Sequence, residues 1–205
     1  MTELVAAAAV ALVAWFAAGT IWNVRLGGEV MRWMQGGLPA LGERTTVRWL
    51  GSSAVQLVID QGKAQFAKAT VVIFLEPRDL PWWPLSRSRG RRDALIVRGT
   101  LRRAPGCELE IVDPASWSGR DALPRIPREW QVREGPLRIH HDGALALDRA
   151  EALLARAGRA GLAVQRLSVR RAEPNFQLHV ALPDRRGPAR EFFDAVQAMA
   201  DAAIK

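Results

Sequence analysis

Tyrosine is absent from this chain, cysteine occurs once (Cys107), histidine three times, and only three of the 29 basic residues are lysines (Lys63, Lys68, Lys205). A single thiol allows no intrachain disulfide, which excludes a disulfide-stapled secreted scaffold. Because arginine carries nearly all of the formal charge of +8, part of that charge is compositional bias and identifies no partner by itself. No Walker A sequence, Gly-x-Gly-x-x-Gly, Gly-x-Ser-x-Gly, Cys-x-x-Cys pair or His-Glu-x-x-His occurs, so the common signatures of nucleotide, hydrolase and zinc chemistry are missing. With 49% hydrophobic and 24% charged residues, the 205-residue chain is neither disordered nor collagen-like, and is long enough to bury a core.

Charge is also missing from one long run. Leu4 to Val24 contains no ionisable side chain, and at about 1.5 Å per residue these residues cover the roughly 30 Å of a hydrocarbon layer. No proline interrupts the run, so a helix satisfies every backbone group in lipid; only Thr20 and Asn23 are markedly polar, and Trp22 stands where an interfacial aromatic belongs. A buried soluble helix and a cleaved signal peptide are the alternatives, the latter lacking its basic leading region. Met1, Thr2 and Glu3 precede the run, whereas Arg25, Arg32, Arg44 and Arg48 follow it. The positive-inside tendency therefore predicts a single-pass protein of the cell membrane with an outside N-terminus and a cytoplasmic body. Ala7, Ala11, Ala14 and Ala18 form a stripe of small residues suited to another transmembrane helix, although an alanine-rich segment produces such stripes readily.

These features divide the chain into an anchor (1–26), a juxtamembrane neck (27–42), a β-rich portion (43–120) and an α+β portion (121–205). The neck suits either a short interfacial helix or a flexible link, since Val30, Met31, Trp33 and Met34 lie between Gly27-Gly28 and Gly36-Gly37. In the β-rich portion, alternation around Val47 and Trp49 and around Val55, Leu57 and Ile59 predicts a hairpin turning at Gly51-Ser52-Ser53. Phe66–Leu75 becomes apolar on both faces, as a central strand does. Ala94–Arg103 and Cys107–Asp113 flank Ala104-Pro105-Gly106 and predict a second hairpin, with Leu101 opposite Leu109, Arg102 opposite Glu108 and Val97 opposite Asp113. That register places Glu108 and Glu110 on the solvent side, where neighbouring carboxylates gain no desolvation to act as an acid/base pair.

Between these strands, Leu80-Pro81-Trp82-Trp83-Pro84-Leu85 is predicted to form a loop, followed by Arg87, Arg89, Arg91 and Arg92. Indoles at the interface and guanidinium groups on anionic headgroups make this segment a bilayer or partner contact. The alternative has one tryptophan folding back over the sheet while the arginines form a solvated turn. Arginine with aromatics also suits nucleic acid, but neither a recognition helix nor an RNP-type strand supports it.

The last portion reads strand, strand, helix, strand, strand, helix. Leu137–His140 and Ala144–Leu147 flank Asp142-Gly143 as a hairpin, Asp148 caps a helix that buries Ala150, Leu153, Leu154 and Ala157, and Gly158 or Gly161 ends it. Strands around Leu167 and Val169 and over Phe176–Leu182 lead to a final helix that buries Phe192, Val196, Met199 and Ala203. His140, His141 and Asp142 are adjacent metal-ligand types, but consecutive strand residues point to opposite faces. Cys107 reads as a small packed residue at a strand start. The sequence thus predicts an α+β body, a largely antiparallel sheet with two amphipathic helices on it, and implies no cofactor. Its function is expected to be that of a membrane-anchored, non-catalytic binding or scaffold module. The alternatives are an accessory subunit of a membrane complex and an enzyme with a pocket between sheet and helices lined by groups such as His140, His179, Glu110 or Arg170.

Overall fold

The computed structural model describes residues 1–205. Its first element, α1 (Thr2–Gln35), runs unbroken for 34 residues, about 50 Å, so residues 27–35 of the neck continue this helix, and a 3-10 turn at Leu38–Ala40 leads on to the first strand. Every residue from Met1 to Ala18 is exposed, whereas Gly19, Asn23, Gly27, Val30 and Met34 are buried on one face. Spacings of four, four, three and four align them along the body. α1 is long and apolar enough to cross a membrane.

Nine strands follow: β1 (Gly42–Trp49), β2 (Ala54–Gly62), β3 (Phe66–Phe74), β4 (Ala94–Leu101), β5 (Leu109–Val112), β6 (Gln131–Arg133), β7 (Arg138–His141), β8 (Val164–Val169) and β9 (Phe176–Ala181). They make one antiparallel sheet of order β1-β2-β3-β4-β9-β8-β5-β7-β6. One register row reads Val47, Leu57, Val71, Val97, Leu178, Leu167, Ile111, Ile139 across eight strands. Helices cover this apolar face: the second half of α1, α4 (Ala144–Arg159) and α5 (Ala189–Ile204). Their buried side chains, including Val30, Met34, Leu153, Phe193 and Met199, join the strands in one continuous core. α4 ends where Gly161 takes φ +64°, a conformation that costs glycine little. The row one residue over reads Thr46, Val58, Thr70, Arg98, Gln177, Ser168, Glu110, His140, Val132 and faces away from those helices. Above its β5 and β8 part lie α3 (Trp117–Ala122) and a small cluster of Val112, Ala122, Ile126 and Trp130.

Four local expectations are corrected. β4 and β5 are not a hairpin: β4 lies between β3 and β9, and β5 between β8 and β7. Alternation decides which face a residue takes, and several strands share the same parity, so it does not decide the neighbour. Arg102 consequently donates to the carbonyls of Gly62 and Ala64 rather than meeting Glu108, whose carboxylate accepts from Arg171 N. Glu110 is fully buried instead of solvent-facing. Ala144–Leu147 is not a strand, because α4 starts at Ala144 with Gly143 as its cap, which places Asp148 inside the helix. The Trp/Arg segment contains a short helix, α2 (Trp83–Ser88), with Pro84 in its first turn, where a missing N–H has no cost.

The sheet has two ends, and α1 runs from one to the other. At the far end Lys63 N donates to Leu41 O, beside the start of β1. At the near end, beside Gly19, lie the turn after β1, residues 75–93, the start of α3 and the segment after β9. They are tied by Leu75 N to Ser53 O (2.8 Å), Trp117 N to Gly90 O (3.3 Å) and Leu182 N to Asp93 O (3.0 Å).

Candidate functional site

The near end is built around Arg78. It follows β3 in a segment whose backbone abuts Gly19 so closely that a Cβ there would collide with the Arg78–Asp79 peptide. Only glycine admits this approach, which brings the helix axis against the body. The Arg78 guanidinium forms a two-pronged ion pair with Asp93 (3.0 and 2.7 Å) and donates to Asn23 Oδ1 at 3.1 Å. It also lies over the rings of Trp22 (5.5 Å) and Trp83 (5.9 Å). Asn23 Nδ2 donates to the Glu76 carbonyl at 3.0 Å, and Asp93 accepts from Glu76 N at 2.8 Å. The two-pronged geometry and the cation–π contacts offset part of the desolvation of both ions, while Arg78 Nε is buried without a partner.

The sequence-predicted contact residues divide around this hub. Trp83 is half-buried and its Nε1 donates to the Glu76 carboxylate, which also accepts from Arg87 at 2.8 Å. Trp82 stands exposed at 57%, Leu85 at 52%, and Arg89 and Arg92 are exposed beside them. Arg91 lies over Phe74 (4.8 Å) and Trp117 (5.6 Å), whose rings stack on each other. Its Nε is buried without a partner, and burial lowers the pKa of the guanidinium from its ordinary value. The two tryptophans thus differ: Trp83 packs onto the body and Trp82 faces outward. Ala7, Ala11, Ala14 and Ala18 are all exposed and pack on no other part of this chain. The small residues that admit a close neighbour here are Gly19 and Gly27. The signal that marks them is their spacing with Asn23, the polar residue of the apolar run.

A second cluster lies on the other face of the sheet. Buried Glu110 accepts from Arg166 Nε, from Arg170 at 2.8 Å and from Ser168 Oγ at 2.8 Å, while Arg170 stacks on Trp130 at 4.3 Å. Two cations and a hydroxyl hold this carboxylate, so its oxygens are taken up by partners within the fold. Nearby, Ser118 Oγ is hydrogen-bonded to Nδ1 of His179, and Nε2 of His179 to Gln177. The pair has the outline of a nucleophile with its base, but its electrostatics are inverted. Burial, then Arg166 and Arg98, pushes the imidazole down to about 3, and an amide stands where a carboxylate would stabilise the imidazolium. The cavity beside it, lined by Phe74, Arg91, Trp117 and Gln165 among others, measures about 20 Å³, the space of one water molecule. Such a pair neither accepts a proton near neutrality nor admits a substrate.

His140 and His141 point to opposite faces, with His141 Nδ1 at 2.8 Å from Gly143 O. No group of three or more His, Cys, Asp or Glu is placed to hold a metal ion. Cys107 is buried, and burial pushes its thiol up. Among the open clefts are the following two. One, of about 580 Å³, runs between α4 and the β6–β7 hairpin over Leu137, Leu154 and Leu162, with the Arg133–Glu151 ion pair on its wall. The other, of about 720 Å³, lies at the near end between Glu76, Arg87, Arg92, Asp93 and the segment 181–186. No protein-family model matches the chain, and no curated protein resembles it at a significant level.

Proposed function

We propose that the chain is a single-pass, membrane-anchored binding or scaffold module whose body faces the cytoplasm and which performs no chemistry of its own. The observation that carries this reading is the unbroken course of α1: an apolar, fully exposed half continues without a hinge into a half that is packed into the core. An exposed apolar half of this length is costly in water and at home in lipid. All 29 basic residues follow the apolar run, which favours the cytoplasmic side. The inverted Ser118–His179 pair and the doubly ion-paired Glu110 support a non-catalytic role.

In this reading the helix confines the body to two dimensions at a fixed attitude, and the segment from Pro81 to Arg92 contacts the bilayer, with its arginines on anionic headgroups. Nucleic acid has no place in it. Alkaline extraction and external protease treatment of sealed cells provide the test. Expected are retention of the full chain in the membrane pellet and protection of the body until the membrane is opened. A freely soluble chain, or digestion of the body from outside, overturns the proposal. A second reading, an accessory subunit of a membrane complex, draws on the uncovered stripe Ala7, Ala11, Ala14 and Ala18. Mass measurement after mild detergent extraction decides it, because a monomer without companions removes that reading.

A further inference from the structure

The segment from Pro81 to Arg92 is only one part of a larger surface. Outside α1 the large apolar side chains exposed on this protein are Val47, Trp49, Leu50, Trp82, Leu85, Trp117, Val132 and Leu145. Of these, Trp49, Leu50, Trp82, Leu85 and Trp117 come from separate stretches of the chain and are brought to the near end of the sheet. Leu50 lies in the turn whose Ser52 Oγ donates to Asp79 at 2.6 Å, and Trp117 N is bonded to Gly90 O. Ile21 and Trp22 of α1 are exposed beside them. Arg87, Arg89 and Arg92 stand exposed at the same end, and Arg91, next to Trp117, has no anionic partner within ion-pair reach.

A length comparison places this surface relative to lipid. From Leu4, the first residue after charged Glu3, to Ala18, the last residue before body contact, α1 covers about 22 Å, whereas the hydrocarbon layer is about 30 Å thick. Without local thinning of the bilayer the span uses residues up to Val24, and Gly19 and Asn23 within that stretch are already packed against residues 76–79. We infer that the near end of the sheet is a composite bilayer-docking surface: Leu50, Trp82, Leu85 and Trp117 enter the interfacial layer of an anionic phospholipid membrane, and the surrounding arginines bind its phosphates. Charge complementarity and continuity with the exposed half of α1 commit the occupant to lipid. This inference rests on α1 as the anchor.

The experiment uses the full chain with Cys107→Ser and one spin-labelled site at a time (Leu50→Cys, Leu85→Cys, Trp117→Cys), reconstituted in vesicles of phosphatidylcholine and phosphatidylglycerol. Leu145→Cys, exposed at the start of α4 toward the far end, serves as the reference. Expected is a shift at positions 50, 85 and 117 toward greater relaxation by oxygen than by a water-soluble nickel chelate, with the reverse at 145. Water-like behaviour at all four sites in a chain that still resists alkaline extraction overturns the docking surface and leaves the anchor standing. A chain that does not stay with the vesicles overturns both.

Discussion

Asn23 and Arg78 are joined by a 3.1 Å hydrogen bond between a polar residue inside the apolar helix and a guanidinium that is already paired with Asp93. The amide also donates to the Glu76 carbonyl, so one side chain ties α1 to the body at two points. A helix packed only through apolar contacts is free to slide by a turn. A buried polar pair fixes its register, because a slipped helix leaves the Asn23 amide and the Glu76 carbonyl unpartnered.

Asn23→Leu makes the run more apolar and more favourable in lipid, yet it removes one acceptor from Arg78 and the amide donor from the buried Glu76 carbonyl. Thermal unfolding of the full chain in detergent is expected to show a loss on the order of 1–3 kcal/mol. Unchanged stability would mean that the junction does not depend on this amide.

Gly19→Ala separates helix propensity from packing. Alanine favours a helix by about 1 kcal/mol over glycine, whereas a Cβ at this site meets the Arg78–Asp79 backbone. A net destabilisation of about 1–3 kcal/mol is expected from overpacking. A gain in stability would show that the close approach is absent.

Glu110→Ala removes the carboxylate that holds Arg166 and Arg170 while leaving two poorly hydrated cations behind. The expected cost is about 3–5 kcal/mol, the range for breaking a buried ion pair from one side. Denaturant unfolding measures it, and a change below about 1 kcal/mol would assign Glu110 to the surface.

His179 sets an acid sensitivity. In the unfolded chain its imidazole titrates at about 6.5, while in the folded protein burial, Arg166 and Arg98 push it down to about 3. Between these values only the unfolded chain takes up the proton. Stability is therefore complete above about pH 6.5 and declines on acidification, by up to about 1.4 kcal/mol per pH unit. His140, lowered mainly by burial, acts in the same direction, so the test compares wild type with His179→Gln between pH 7 and 5. The wild type is expected to lose more. Parallel curves would show that His179 is accessible to protons in the native state.

Much of the architecture is legible from side-chain periodicity. The row from Val47 to Ile139 and the inner faces of α4 and α5 follow directly from apolar spacing, because burial is a property of each residue and leaves a period in the sequence. Pairing is different. β5 pairs with β7 and β8, which lie beyond it in the chain, and no local signal distinguishes them from β4. The same gap hid Glu110: with β8 as neighbour it meets Arg166, Ser168 and Arg170, and with β4 it would have faced water. Trp82 and the arginines of the near end were visible from composition. Leu50 and Trp117 were not, because only the folded sheet brings their segments together.

The unbroken course of α1 has a mechanical consequence. In the proposed membrane placement there is no joint between lipid and body, so the protein has nothing to absorb a change in bilayer thickness. A thicker membrane must thin around the helix or draw the sheet inward, and a thinner one must make the whole molecule lean. In that placement the body is a stiff lever on its anchor, and its posture follows the bilayer around it.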